Sequence, residues 1–182
     1  MTTVRHLTHD DLHAGLPLIE AAPLDEGRVE MIVRRPAIDQ RESREEAELS
    51  VALGLVGDNW SQGSANPECQ LTLMNSRAAD LVAAGDRGRW ALAGDQLYVD
   101  LNIGSENLPA GTRVAIGDEA IVQVTAEPHT GCAKFIDRFG LEAMKFVNGP
   151  VGRPLCLRGI NTRVVQGGTI RVGDQVRKLA QD

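Results

Sequence analysis

Apolar residues recur at every second position through most of the second half of the chain. Residues 96–101 (QLYVDL), 112–116 (TRVAI), 120–126 (AIVQVTA), 161–165 (NTRVV), 169–172 (TIRV) and 175–179 (QVRKL) are short, rich in β-branched side chains and punctuated by Gly, Asn and Asp. That is the pattern of half-buried strands joined by turns. Residues 28–35 (RVEMIVRR) alternate in the same way and are closed by Pro36, and Gln70 to Leu73 forms one more short strand. Helical spacing is rarer. It covers 6–22, broken at Gly15 and Pro17, with Thr8 placed to cap it and Asp10 and Asp11 in its first turn. It returns over Arg77–Ala84, behind a Ser76 cap and before Gly85, and over roughly Ala133–Val147. The stretch 38–49 (IDQRESREEAEL) carries dense charge of both signs and reads as a solvated loop or helical turn. Glycines at 54, 57 and 63 mark the following region as a loop.

The segments 111–118 (GTRVAIGD) and 167–174 (GGTIRVGD) resemble each other. In each, a glycine leads into a strand that ends in a Gly-Asp turn, where Gly supplies the positive φ. Two hairpins of one kind in a β-rich chain point to closure, because a closed sheet has no exposed edge. The expectation is a mainly β protein with a few helices: a closed or partly open β-barrel with the helices outside it. The 182 residues fit a single domain, 1–182, with its best-supported core at 27–178 and a helical or irregular extension at 1–26.

Composition narrows the chemistry. Aromatics are only 3% of residues, so the core must be built from Val, Leu, Ile and Ala, and stacking platforms for single-stranded nucleic acid are scarce. A net charge of −6 also argues against nucleic acid as a partner. Met1 to Asp11 lacks the apolar run of a signal peptide, and no stretch approaches the ~18 apolar residues of a membrane span, so a cytoplasmic location and no membrane partner are expected. Three cysteines, Cys69, Cys132 and Cys156, with no CxxC spacing, suit neither a disulfide scaffold nor a zinc ribbon.

Cys132 is the strongest chemical candidate. It stands in E-P-H-T-G-C-A-K-F, between a strand and a predicted helix start, where free backbone N–H groups favour a thiolate. His129, Lys134 and Arg138 are candidates to add positive field. The competing reading is a small buried hydrophobe. Asn107, in the loop G-S-E-N-L, either orients a polar ligand or shapes a turn. Arg158 and Arg163 flank Asn161, and their guanidinium forks suit phosphate or carboxylate, unless they are surface charges only. His9 and His13 have metal-like spacing without a third ligand, and fit a capped surface helix better. Cys69 and Cys156 read as structural residues in or beside apolar strands. No common nucleotide, hydrolase or zinc-protease motif occurs.

Taken in order, several segments resemble the MOSC domain family (the molybdenum cofactor sulfurase C-terminal domain), of the small stand-alone bacterial type. They are G-L-V-G-D at 54–58, G-S-E-N-L at 104–108, the strand pair at 111–120, E-P-H-T-G-C-A-K-F at 127–135 and R-G-I-N-T-R-V-V-Q-G-G-T-I-R-V-G-D at 158–174. Two positions depart from many relatives: Gly131 replaces a proline before the cysteine, and Asn59 and Trp60 follow Gly57-Asp58 in place of a histidine.

The resemblance implies a cleft ending at Cys132 that binds the molybdenum cofactor. Cys132 would be the catalytic residue and metal ligand, and His129, Lys134, Asn107, Arg158, Asn161 and Arg163 would hold the cofactor. The chain carries no pyridoxal-phosphate desulfurase domain, so sulfur or electrons would come from an external donor protein. It implies either a subunit that reduces N-hydroxylated compounds or a sulfur carrier holding a Cys132 persulfide for cofactor or cluster sulfuration. A non-enzymatic barrel that binds a ligand or protein is the remaining alternative, and a homodimer is left open.

Overall fold

The computed structural model describes residues 5–63 and 65–180, so the N-terminal reading at residues 1–4 lies outside the described residues. Eleven strands run through it: β1 (Glu26–Arg34), β2 (Glu42–Arg44), β3 (Glu46–Ser50), β4 (Gly54–Leu55), β5 (Leu71–Asn75), β6 (Leu97–Val99), β7 (Arg113–Ile116), β8 (Ala120–Val124), β9 (Ile160–Gln166), β10 (Gly168–Arg171) and β11 (Gln175–Lys178). The helices are α1 (His9–Ala14), α2 (Leu16–Glu20), α3 (Ser76–Val82), α4 (Ala133–Phe139) and α5 (Leu141–Asn148), with a longer 3-10 helix at Arg87–Ala93.

Seven strands close into a ring in the order β1-β11-β7-β8-β9-β5-β6 and back to β1. All neighbours are antiparallel except β5 and β6, which run parallel with Leu73 opposite Leu97. The ring shuts where Glu26 pairs with Arg177 and Gly27 with Val176. β2 extends the far end of β1, and β10, β3 and β4 form a small separate sheet. Alternation fills the barrel. In β8 the residues Ala120, Val122 and Val124 point in, and they meet Val114, Ile116, Leu71, Leu73, Leu97 and Val164 in one apolar cluster. A second cluster lies outside the ring, where Tyr98, Met74 and Val33 meet Ala78, Val82, Phe135, Phe139 and Phe146 of the helices. The mainly β barrel with outer helices expected from the alternation is therefore the observed architecture.

Local differences have local causes. Residues 42–44 and 46–50 are strands, not a solvated loop or turn. The stretch does alternate, but its inward face holds only Ala47 and Leu49 between glutamates, so charge density masked a period of two. In 54–63 a two-residue strand and a short 3-10 turn replace a plain loop. Asn75 rather than Ser76 caps α3, its side-chain oxygen accepting from the N–H groups of Arg77 and Ala78. The expected helix at 133–147 is two helices, broken at Gly140. Thr8 caps α1 as expected, and Asp11 completes a reciprocal capping box. The 111–118 segment does open a hairpin, β7 to β8. The similar 167–174 segment does not: β10 pairs with β3, while β11 pairs with β1 and β7, so the second Gly-Asp turn carries the chain from one sheet to the other.

Barrel closure depends on a close approach at Gly27. A Cβ there would fall 1.8 Å from the backbone oxygen of Asp100. Neither backbone can yield without opening the β1–β11 or β1–β6 pairing. Gly27→Ala is expected to destabilise the fold by about 3 kcal/mol or more, at or beyond the usual range for overpacking. Urea unfolding monitored by circular dichroism checks this; a loss below about 1 kcal/mol would show that closure tolerates the extra atom.

Candidate functional site

Asp95 ends the connection that leads into β6, and its side chain has no exposure to solvent. A buried carboxylate must be paired. Arg158 NH1 donates to Asp95 Oδ2 at 2.6 Å, and His129 Nε2 lies 2.9 Å from Asp95 Oδ1. Burial alone would push the Asp95 carboxyl up. The Arg158 guanidinium, and after it His129, outweigh burial and hold it well below the usual carboxylate range. Tyr98 lies deep in the same region; burial, and then the Asp95 charge, push its phenol up, and its hydroxyl donates to the Trp90 carbonyl at 2.7 Å.

The carbonyls at the end of the 3-10 helix complete the arrangement. Three consecutive oxygens each accept from a different arginine at 2.8 Å: Leu92 from Arg138 of α4, Ala93 from Arg158 and Gly94 from Arg35. Cations at a helical C-terminus satisfy carbonyls that have no partner within the helix. Arg35 also holds the buried Asp58 through both of its carboxylate oxygens.

Arg158 and His129 therefore stand side by side on the wall of a cavity of about 670 Å³, a size that takes a small organic ligand. Asn161, Thr125, Asn148, Arg153 and Cys156 line it as well. Two buried side-chain nitrogens among the described residues lack a hydrogen-bond partner, Arg158 Nε and Arg41 Nε. Gly159 lets this wall pack tightly: a Cβ there would meet the Leu73 carbonyl at 2.7 Å and His129 Cδ2 at 3.0 Å.

Of the residues singled out from sequence, His129, Arg158 and Asn161 thus meet at one cavity. Cys132 is exposed at the N-cap of α4, two residues beyond the wall residue Thr130, and does not itself line the cavity. The peptide before it is clamped by α5: Gly131 N–H donates to Asn148 Oδ1 at 3.0 Å. Lys134 and Arg138 turn to Asp39. Asn107 lies in a separate depression and is fully used in joining chain segments, donating to the Leu24 and Asn102 carbonyls and accepting from Lys178. Arg163 lies on the outer side of β9, held by Gln123 and Glu68.

Cys156 sits in a turn with φ of +50°, not in a strand, and burial pushes its thiol up. Cys69 ends a 3-10 turn, and there too burial raises the thiol. His9 and His13 stack their rings, and no group of three potential metal-ligating His, Cys, Asp or Glu side chains occurs among the described residues. No helix among these residues is long and apolar enough to cross a membrane.

Sequence reasoning missed Asp95, Asn148 and Arg153. Asp95 lies in an Ala-Gly-Asp-Gln stretch that carries no signal beyond a turn, and its partner Arg158 is 63 positions away. The pairing yields a pH prediction. Because the folded carboxyl is held below its ordinary value, its contribution is complete above about pH 5. It shrinks once the unfolded chain takes up its proton near pH 4, and is lost as pH falls through the folded value. Asp95→Asn leaves Arg158 buried and unpaired, and is expected to cost about 3–5 kcal/mol at pH 7. The cost should be clearly smaller at pH 3. Denaturant unfolding of both proteins at the two pH values checks it; an equal cost at both would mean the carboxylate charge is not what stabilises the site.

The sequence matches no protein-family model and no curated protein. Solved structures do match. The YuaD protein of Bacillus subtilis is similar over 86% of this chain and 97% of its own, with 15% identity and a TM-score of 0.63. YiiM of Escherichia coli is similar over 85% of this chain and 71% of its own, with 19% identity and a TM-score of 0.56. YiiM of Geobacillus stearothermophilus gives 14% identity over 85% of this chain and 73% of its own, with a TM-score of 0.52. At these identities the likeness concerns the fold, and it supports a MOSC-like β-barrel for this chain.

Proposed function

We propose that this protein binds the molybdenum cofactor, with the pterin in the cavity beside Arg158 and the Cys132 thiolate as the protein ligand to the metal. The observation that carries the reading is Arg158: a buried guanidinium whose Nε–H has no partner, on the wall of a cavity of about 670 Å³. A buried donor without a partner is costly, and a polar ligand would satisfy it.

The donor set fits the group in kind. Its phosphate suits Arg158 and Arg153, its polar ring edge suits Asn161, and its soft metal suits one exposed thiolate rather than a cluster of hard ligands. Bound cofactor would supply two-electron redox chemistry at the metal, with an external protein as electron donor, and N-hydroxylated compounds are the substrate class implied. The chain's own residues orient and hold. Asp95 fixes the Arg158 guanidinium and the His129 ring, and Asn148 fixes the peptide that presents Cys132.

A second reading is favoured by the exposure of Cys132 and by its place off the cavity wall. In it Cys132 carries sulfur. Its thiolate attacks the outer sulfur of a donor protein's persulfide, a new S–S bond forms on Cys132, and the donor sulfur leaves as a thiolate. No cofactor is needed for that step.

One experiment separates the two. Protein expressed in a host that makes molybdenum cofactor, and its Cys132→Ala variant, are analysed for metal by mass spectrometry. Near one molybdenum per chain in the parent, with at least a tenfold loss in the variant, is the expected result. Absence of molybdenum from both, with the mass of one extra sulfur on Cys132, would replace the first reading with the second.

A further inference from the structure

A second group of charges lies apart from the cavity wall, around the turn between β1 and β2. Asp39 has φ of +60° in a residue that is not glycine, and its side chain is 60% exposed. One of its oxygens, Oδ1, receives both Lys134 Nζ at 3.0 Å and Arg138 NH2 at 3.5 Å. Arg41 lies behind them, with NH1 3.4 Å from the Asp39 carbonyl oxygen. Its Nε is the other buried nitrogen without a partner, and no carboxylate among the described residues forms an ion pair with it. Burial, and then the like charge of Arg138, lower its affinity for its proton.

Asp58 pairs with Arg35, Asp95 with Arg158 and His129, and Glu42 with Arg34. In a chain of net charge −6, Lys134 and Arg138 share one exposed carboxylate, and Arg41 beside it pairs with no carboxylate among the described residues. Two cations of α4 on one carboxylate oxygen, with a third from the β1–β2 turn next to the same residue, have more donors than that carboxylate uses. A tetrahedral dianion with three terminal oxygens uses them better.

We infer that Lys134, Arg138 and Arg41 form a phosphate-binding site in which the Asp39 carboxylate is the resident, displaceable anion. The ligand class is inorganic phosphate or a phosphate monoester. Asp39 acts as a tethered competitor: it keeps Lys134 and Arg138 paired while the site is empty and swings out when phosphate enters. Its exposure, and the absence of a backbone hydrogen bond to its carboxylate among the described residues, leave it free to do so. The site does not depend on the cavity reading, because none of its residues lines that cavity.

The test uses the full chain expressed without molybdenum, with inorganic phosphate and glycerol 2-phosphate as separate probes in calorimetric titrations at constant ionic strength. Asp39→Asn removes the competing charge, and asparagine tolerates the left-handed backbone. It should tighten binding about tenfold, from the loss of one negative charge at the ligand position. Lys134→Ala changes a half-exposed side chain on the surface of α4, so it should fold, and should weaken binding about fivefold or more. Tighter binding of the ester identifies a monoester as the ligand, and tighter binding of phosphate identifies the free ion. No saturable binding of either probe to Asp39→Asn, or equal affinities in Asp39→Asn, Lys134→Ala and parent, would overturn the site. Because metal-free protein is used, that failure would leave the molybdenum reading untouched.

Discussion

The organisation of the polar end of this barrel depends on one buried charge. Asp95 has no contact with water, yet four separate parts of the chain converge on it or on the carbonyls beside it, Arg35 after β1 among them through the Gly94 carbonyl. The loop after β8 contributes His129, the turn before β9 contributes Arg158, and α4 reaches the neighbouring Leu92 carbonyl through Arg138. A buried carboxylate is tolerated only when its partners are held in place. The need to satisfy it therefore fixes the loop that leads to Cys132 and the wall that faces the cavity. Removing Arg158 would leave the Asp95 charge without its guanidinium in a region of low dielectric.

The barrel provides the rigid frame for this. Alternating apolar residues fill the ring, and the helices are held against its outer face by Tyr98, Phe135, Phe139 and Phe146. With so few aromatics in the chain, most of those present serve the barrel–helix layer rather than a ligand surface. The chemical groups lie where strands give way to turns: Asp95 before β6, His129 and Cys132 after β8, and Arg158 before β9. Turns on a fixed scaffold are where polar groups can converge without sacrificing sheet hydrogen bonds.

Much of the fold was legible in period-two patterning, because β1, β5–β9 and β11 each carry a face of Val, Leu or Ile large enough to register against their polar face. The β2–β3 stretch was not, since its buried face amounts to Ala47 and Leu49 among glutamates. Repeated sequence also misled at one point. Two similar Gly-Asp turns have different outcomes, because the turn fixes a change of direction while the partner strand depends on the rest of the chain. At the site, His129, Arg158 and Asn161 were readable as residue types next to turns, and their meeting at one cavity was a matter of topology. Asn107 is a polar side chain that serves the scaffold instead, a role that sequence leaves open for any loop asparagine. Asp95, Asn148 and Arg41 gave no local signal, because what distinguishes them is burial and a distant partner.

The pairing of β1 with β11 has a consequence for how the molecule is made. The first ring strand finds one neighbour about 150 residues later, when Glu26 meets Arg177. Contacts that join distant parts of a chain form slowly, because the entropy of closing the loop is lost before the contact is gained. During synthesis β1 and β7 must each wait with an open edge until Gln175–Lys178 has emerged. Those edges are the places where a growing chain would pair with another copy. The last few ring residues thus act as the latch of the barrel, and the interval before they arrive is when the protein is most exposed to misassembly.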